Sequence, residues 1–153
     1  MVVGIMEVKL VGAKRLKNTK FFGRIDPYVL LQYRNQECKS STANGQGRNP
    51  IWNENFEFRV DYPMADEQYK LVLKIMAYDT FTADDYLGQA TIYVKELIEL
   101  GLEKGKAELR PQKYRVVFTD KTYCGEIQVG VTFTAKEETD EEEEYGAWKE
   151  SNY

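Results

Sequence analysis

The sequence predicts an all-β fold, an eight-stranded antiparallel β-sandwich with one short helix and a disordered acidic C-terminal tail. Three observations lead there. Apolar residues recur at every second position in several short segments, the period of a strand with one wet and one buried face. About eight such segments can be placed along the chain, while helical spacing appears at one stretch only. The 153 residues suit one ordinary core, burying roughly two-thirds or more of the surface the unfolded chain exposes.

Taken in order, Met6, Val8 and Leu10 alternate with Glu7 and Lys9 in the first strand. Strands at 27–34 and 37–42 follow, Pro27 supplying a fixed φ at a first-strand position. Asn49 and Pro50 make a turn, Trp52 is a core aromatic, and Phe56, Phe58 and Val60 alternate with Glu57 and Arg59. Leu71, Leu73 and Ile75 then alternate with Val72 and Lys74, and a further strand is expected at 88–94. Val94, Leu97 and Ile98 have helical spacing, so Lys95 to Leu100 is read as a turn or two of helix stopped by Gly101. After a strand at 113–118, the last one sets Ile127, Val129, Val131 and Phe133 on one face against Gln128, Gly130 and Thr132. The domain is expected over 1–135 and the tail over 136–153.

Charge and composition narrow the function. The tail from Lys136 to Tyr153 holds eight acidic and two basic residues; with −4 for the whole chain, residues 1–135 carry +2. Lys14, Arg15, Lys17, Lys20 and Arg24 form a cationic stretch with no acidic residue among them. The run from Glu137 to Glu144, with charge and no apolar residues, is read as disordered and as an internal competitor for basic surface. Tyr145, Trp148 and Tyr153 are candidates to dock on the body or on a partner.

The absence of histidine removes the usual Ser-His and Cys-His nucleophile arrangements and the His-containing zinc sites. With no phosphate-cradling glycine motif either, an enzyme is not expected. Cys38 and Cys124 form no metal-ligand spacing and read as reduced thiols of a cytosolic protein. The first residues alternate at once and include Glu7, unlike a secretory signal, and no apolar run reaches the roughly 18 residues of a membrane span. Membrane contact is therefore expected to be peripheral.

In an up-and-down run of strands, the loops after the first, third and fifth emerge at one end. These are Lys14 to Ile25, Ala43 to Ile51 and Asp79 to Leu87, and they bring Asp26, Asp79, Asp84 and Asp85 toward one rim. Convergent oxygens suit a hard divalent cation.

The segments GRIDPYV, NPIWNENFEF, DTFTADDYLG and GEIQVGVTF, in this order and spacing, resemble the C2 domain, the calcium-dependent lipid-binding β-sandwich. The similarity extends to about residue 135. The size and the tail EEEEYGAWKESNY are similar to the small plant single-C2 proteins of the elicitor-responsive and phloem-sap type. The resemblance implies metal ligands at Asp26, Asp79 and Asp85, with Asp84 as a further candidate, but it places Lys20 and Ala77 where the family has two more aspartates. Of five carboxylate positions two are replaced, one by a cation. Lys20 is then expected among Asp26, Asp79 and Asp85 as a tethered substitute for the ion, attracted by at most about 4 kcal/mol per close pair before desolvation is deducted. The alternative is that it points into solvent. Calcium is the only cofactor expected, and weakly bound.

The expectation is a peripheral membrane module that recognises anionic phospholipid with weak or absent calcium dependence. It would be a monomer in the cytoplasm, reversibly at the plasma membrane, in plant stress or defence signalling. Lys14, Arg15, Lys17, Phe21, Phe22, Arg24 and Phe81 are the candidate lipid-binding residues, apolar tips combined with cations near anionic headgroups. Lys39, Lys70 and Lys74 are a second candidate basic face, or a solvated sheet face. The other reading is a protein- or RNA-binding adaptor of the phloem type; RNA is its weaker form, since no basic and aromatic stacking array is evident.

Overall fold

The computed structural model describes residues 2–20 and 23–136. Within these residues eight strands run in chain order: β1 Val2–Lys14, β2 Pro27–Tyr33, β3 Gln36–Lys39, β4 Ile51–Asp61, β5 Lys70–Ala77, β6 Asp85–Tyr93, β7 Lys106–Val117 and β8 Tyr123–Ala135. Among the described residues a single 3-10 turn, Asp66–Gln68, precedes β5, and one helix, α1 Lys95–Lys104, joins β6 to β7. All pairings are antiparallel, in the spatial order β3-β2-β5-β6-β7-β8-β1-β4. β6 and β7 meet at Gln89 and Val117 alone. That narrow seam lets the order fold into two four-stranded layers.

The inner faces of both layers form one core, in which Leu31, Leu73 and Ile75 share a cluster with Val8, Val131 and Phe133. Tyr33 of β2 and Phe58 of β4, at opposite ends of the order, meet edge to face with centroids 6.3 Å apart. Burial follows the alternation: Leu71, Leu73 and Ile75 are buried while Val72 and Lys74 are half-buried on the other face. Each of the larger buried aliphatic side chains contributes on the order of 1.5–3 kcal/mol.

The connections depart from an up-and-down run. The chain crosses between layers after β1, after β3, after β4 and through α1, and only β2–β3, β5–β6 and β7–β8 are neighbouring strands joined within a layer. The three loops still share one end because every crossing joins antiparallel strands. The third strand is shorter than 37–42, ending at Lys39, whereas the sixth begins at Asp85 and the seventh at Lys106, ahead of the expected starts.

The helix does not stop at Gly101. It continues to Lys104, and Gly105, at φ 91°, ends it while its N–H donates to the Gly101 carbonyl. Gly101 is small for a different reason: a Cβ there would lie 2.3 Å from Phe133 Cδ2, so this position lets α1 press onto β8.

Candidate functional site

Three loops, 15–26, 40–50 and 78–84, meet at one end of the sandwich and are stitched together by backbone bonds. Leu16 N–H donates to Arg48 O at 3.1 Å, Gly47 N–H to Ile25 O at 3.1 Å, and Tyr78 N–H to Asp26 O at 3.0 Å. The Asp26 side chain belongs to the same stitching, its Oδ1 accepting from Gly45 N–H at 2.6 Å. Its other oxygen, Oδ2, lies 3.5 Å from Lys20 Nζ, with the Asp26 and Lys20 side chains 24% and 34% exposed.

The carboxylates of loop 78–84 are occupied by the loop itself. Asp79 Oδ1 accepts from the N–H groups of Phe81 at 2.8 Å and Thr82 at 3.0 Å. Those two bonds hold its carboxyl below the usual range, and the nearby Lys20 ammonium adds to the effect. Asp84 accepts from the Tyr28 hydroxyl through one oxygen and from Asp79 N–H at 3.0 Å through the other. Chiefly through the Tyr28 bond, and next through the Asp79 N–H, its carboxyl also sits low. Burial first, then the Asp84 bond, pushes the Tyr28 hydroxyl up to about 12, so it remains a donor. Lys39 lies with its ammonium 4.5 Å from the Tyr28 ring centroid, which ties the outer face of β2 and β3 to this loop.

Lys20 therefore pairs with Asp26 and acts on Asp79 from a distance. The third expected neighbour, Asp85, makes no ion pair with Lys20 and is the first residue of β6, opposite Ala77 of β5 in the register. Ala77 is 2% exposed and also faces Pro27 of β2. Among the described residues no group of three or more His, Cys, Asp or Glu has the geometry of a metal site. The local reason is that Asp79 and Asp84 turn to backbone N–H groups and to Tyr28. The residue set fits a hard cation poorly: one carboxylate already faces an ammonium, and two more are satisfied by the loop.

The candidate lipid-contacting residues are distributed unevenly. Phe81 is 93% exposed at the tip of loop 78–84, while Phe21 and Phe22 lie outside the described residues, as do the tail positions Tyr145, Trp148 and Tyr153. Arg24 reaches Gly45 O at 3.4 Å and stays with the three loops. Lys14, Arg15 and Lys17 turn toward β7 and β8 instead. Lys17 sits 4.6 Å from the Phe118 ring centroid, and Arg15 pairs with Glu126 of β8.

Lys39, Lys70 and Lys74 do share one surface. Lys39 and Lys74 both face Leu30 across adjacent strand pairs, and Lys70 is two pleats along from Lys74 on the same side of β5. Gln89, opposite Lys74, and the exposed Tyr93, opposite Lys70, extend that surface onto β6. Among the described residues, no helix is long and apolar enough to cross a membrane.

Comparison with known proteins places this geometry. The family model described as C2 domain matches residues 4–111. The chain is 47% identical to 16 kDa phloem protein 1 of Arabidopsis thaliana, covering 99% of this chain and 98% of that protein. It is 51% identical to elicitor-responsive protein 1 of Oryza sativa subsp. japonica, covering 97% and 96% respectively. A solved C2 domain-containing protein from a putative elicitor-responsive gene superposes with a TM-score of 0.68 at 38% identity, over 90% of this chain and 93% of that one. A solved C2 domain of plant extended synaptotagmin 1, at 22% identity, shares the fold with a TM-score of 0.68 over 90% of this chain and 99% of that one.

Proposed function

The chain belongs to the C2 domain family, and we propose that it is a non-catalytic module that docks peripherally on anionic phospholipid with weak or absent calcium dependence. The observation that carries this reading is the Lys20 ammonium 3.5 Å from Asp26, on the rim where a cation would enter. Calcium would have to displace a tethered positive charge and bind with fewer carboxylates, and ligand charge count is a main determinant of its affinity. Asp26, Asp79 and Asp85, with Asp84 beside them, are at most a residual weak site.

Docking then rests on groups that need no ion. The exposed Phe81 at a loop tip is available for insertion, and Asp79 and Asp84 tie loop 78–84 together through its own backbone N–H groups. Lys14, Arg15, Lys17 and Arg24 supply attraction to anionic headgroups, and Phe21 and Phe22 are further insertion candidates on the sequence alone. The face of Lys39, Lys70 and Lys74 gives a second contact. In this reading the protein is a cytoplasmic monomer that reaches the plasma membrane reversibly, in a stress or defence role that the similarity to elicitor-responsive proteins supports.

The test is co-sedimentation with phosphatidylserine vesicles against neutral phosphatidylcholine vesicles, run beside a single-stranded RNA mobility shift. Retention on the anionic vesicles alone, weakening with salt, is expected. The similarity to phloem proteins favours a second reading, an adaptor for protein or RNA, and an RNA shift without vesicle retention would replace the lipid reading with it.

A further inference from the structure

Glu126 is a carboxylate ringed by four cations drawn from three sides, β1, β7 and the loop after β1. It sits opposite Lys14 of β1 and opposite Arg115 of β7 in the strand register, so all three side chains leave the sheet on the same face. Arg15 Nη2 donates to its Oε1, and Lys113 Nζ lies 3.8 Å from its Oε2. The Glu126 side chain is 17% exposed, whereas Arg15 is 66% and Lys113 57% exposed. The carboxylate is thus sunk between cations whose ends remain in water. Lys14, Arg15, Lys113 and Arg115 against Glu126 leave the ring strongly positive.

The ring borders a cleft of about 500 Å³ lined by Arg15, Lys113, Arg115, Tyr123, Gly125 and Glu126. Arg115 holds its guanidinium carbon over the ring of Tyr123, 4.7 Å from the centroid, and Tyr123 is itself 65% exposed. A cation–π contact does not consume the N–H donors of the guanidinium, whose fork fits phosphate oxygens two at a time. The cleft opens at the end of the sandwich where β1 leads into loop 15–26, the same end that presents Phe81.

We propose that this Glu126-centred cleft binds the phosphomonoester of a membrane lipid headgroup, with Glu126 as an internal counter-anion that the phosphate replaces. The proposal rests on the lipid-docking reading above and names the headgroup class for it. A dianionic phosphomonoester meets Arg15, Lys113 and Arg115 together, whereas a phosphodiester or carboxylate brings one charge and fewer oxygens. A compact ring suits one headgroup better than an extended strand of nucleotides, which would be tracked by a groove. Seated here, the headgroup would hold β7 and β8 against the membrane and set the tilt of the domain.

The experiment uses the full chain in chelator on two vesicle sets of matched surface charge, one carrying phosphatidylserine and one carrying a phosphatidylinositol phosphate. Preferential retention on the second is expected. The double substitution Lys113→Ala with Arg115→Ala should lower that retention by about thirtyfold, about fivefold for each cation. Lys104→Ala with Lys106→Ala, the same charge change at the far end of β7, should cost much less. Glu126→Gln should strengthen retention on phosphomonoester vesicles several-fold, and more than Glu108→Gln does. Unchanged melting temperatures show that the variants fold. Retention on both vesicle sets without preference, or equal losses from the two double substitutions, overturns the cleft while leaving general anionic docking intact. Loss on both sets from the start defeats the docking reading itself. Competition by inorganic phosphate as effective as by the lipid would make this a free-phosphate site, and an RNA shift abolished by Lys113→Ala with Arg115→Ala, without any vesicle effect, would assign it to nucleic acid; either result overturns the proposal.

Discussion

Rebuilding the carboxylates that the rim lacks separates the role of Lys20 from that of the rest of the loop. Lys20→Asp changes the local charge by two units and Ala77→Asp by one, all toward negative. The first substitution removes a partly exposed pair worth about 0.2–1 kcal/mol and leaves two carboxylates facing each other where one faced an ammonium. The second puts a carboxylate at a position 2% exposed, directly opposite Asp85 in the register. An unpaired buried polar group costs about 1–3 kcal/mol and a charged one more. The double variant should therefore be less stable in chelator by about 3–5 kcal/mol. For a chain of this size that is a fall of about 10 °C in melting temperature. Calcium at about a thousandfold its Kd returns about 4 kcal/mol, because it binds only the folded state. Scanning calorimetry in chelator and in excess calcium, with calorimetric titration of parent and variant, reads both effects. A parent that binds calcium tightly, or a double variant whose melting ignores the ion, would refute the placement of Lys20 as the substitute for a cation.

The other expectations are simpler. Phe81→Ala should weaken retention on anionic vesicles by about tenfold, the loss of part of a phenylalanine's burial, with no change in melting because the ring is 93% exposed before docking; equal retention would make Phe81 a bystander. Gly101→Ala should cost about 1–3 kcal/mol through the clash with Phe133, and Gly105→Ala about 1 kcal/mol through its positive φ alone, so the reverse order of melting temperatures would contradict the helix packing. Asp79 and Asp84 have folded-state pKa values below the ordinary one, so their contribution is complete above about pH 4 and is lost as pH falls through the folded values. Melting temperature should drop with acidification in that range, and Asp84→Asn should flatten the drop; an identical slope would remove Asp84 from the loop's support.

Strand periodicity made most of the fold legible, because Leu71, Leu73 and Ile75 or Ile127, Val129 and Val131 declare a buried face within a few residues. Gly101 misled for a definite reason. A glycine after a helical stretch reads as a stop, and the ring of Phe133, far along the chain, cannot be seen from that stretch. The rim loops could be paired from strand parity alone, since antiparallel crossings return each loop to the same end whatever the sheet order. What the carboxylates do there was less visible. Tyr28 looked like the start of a strand, and only the folded chain brings its hydroxyl to Asp84, 56 residues on. Lys14, Arg15 and Lys17 formed one basic run with Arg24 in sequence, but β1 ends beside β8, so three of the four serve a different side of the rim from the fourth. The Glu126 ring left no linear signal, because Lys113 and Arg115 are two ordinary alternating cations on β7 until β8 lies beside them.

Whether the tethered Lys20 ammonium makes calcium dispensable is read from the bound fraction of the unmodified chain on phosphatidylserine vesicles in chelator and in calcium. The same bound fraction is expected in both, falling with added salt because the attraction is screened. No binding in chelator, restored by calcium in the micromolar range, would contradict it.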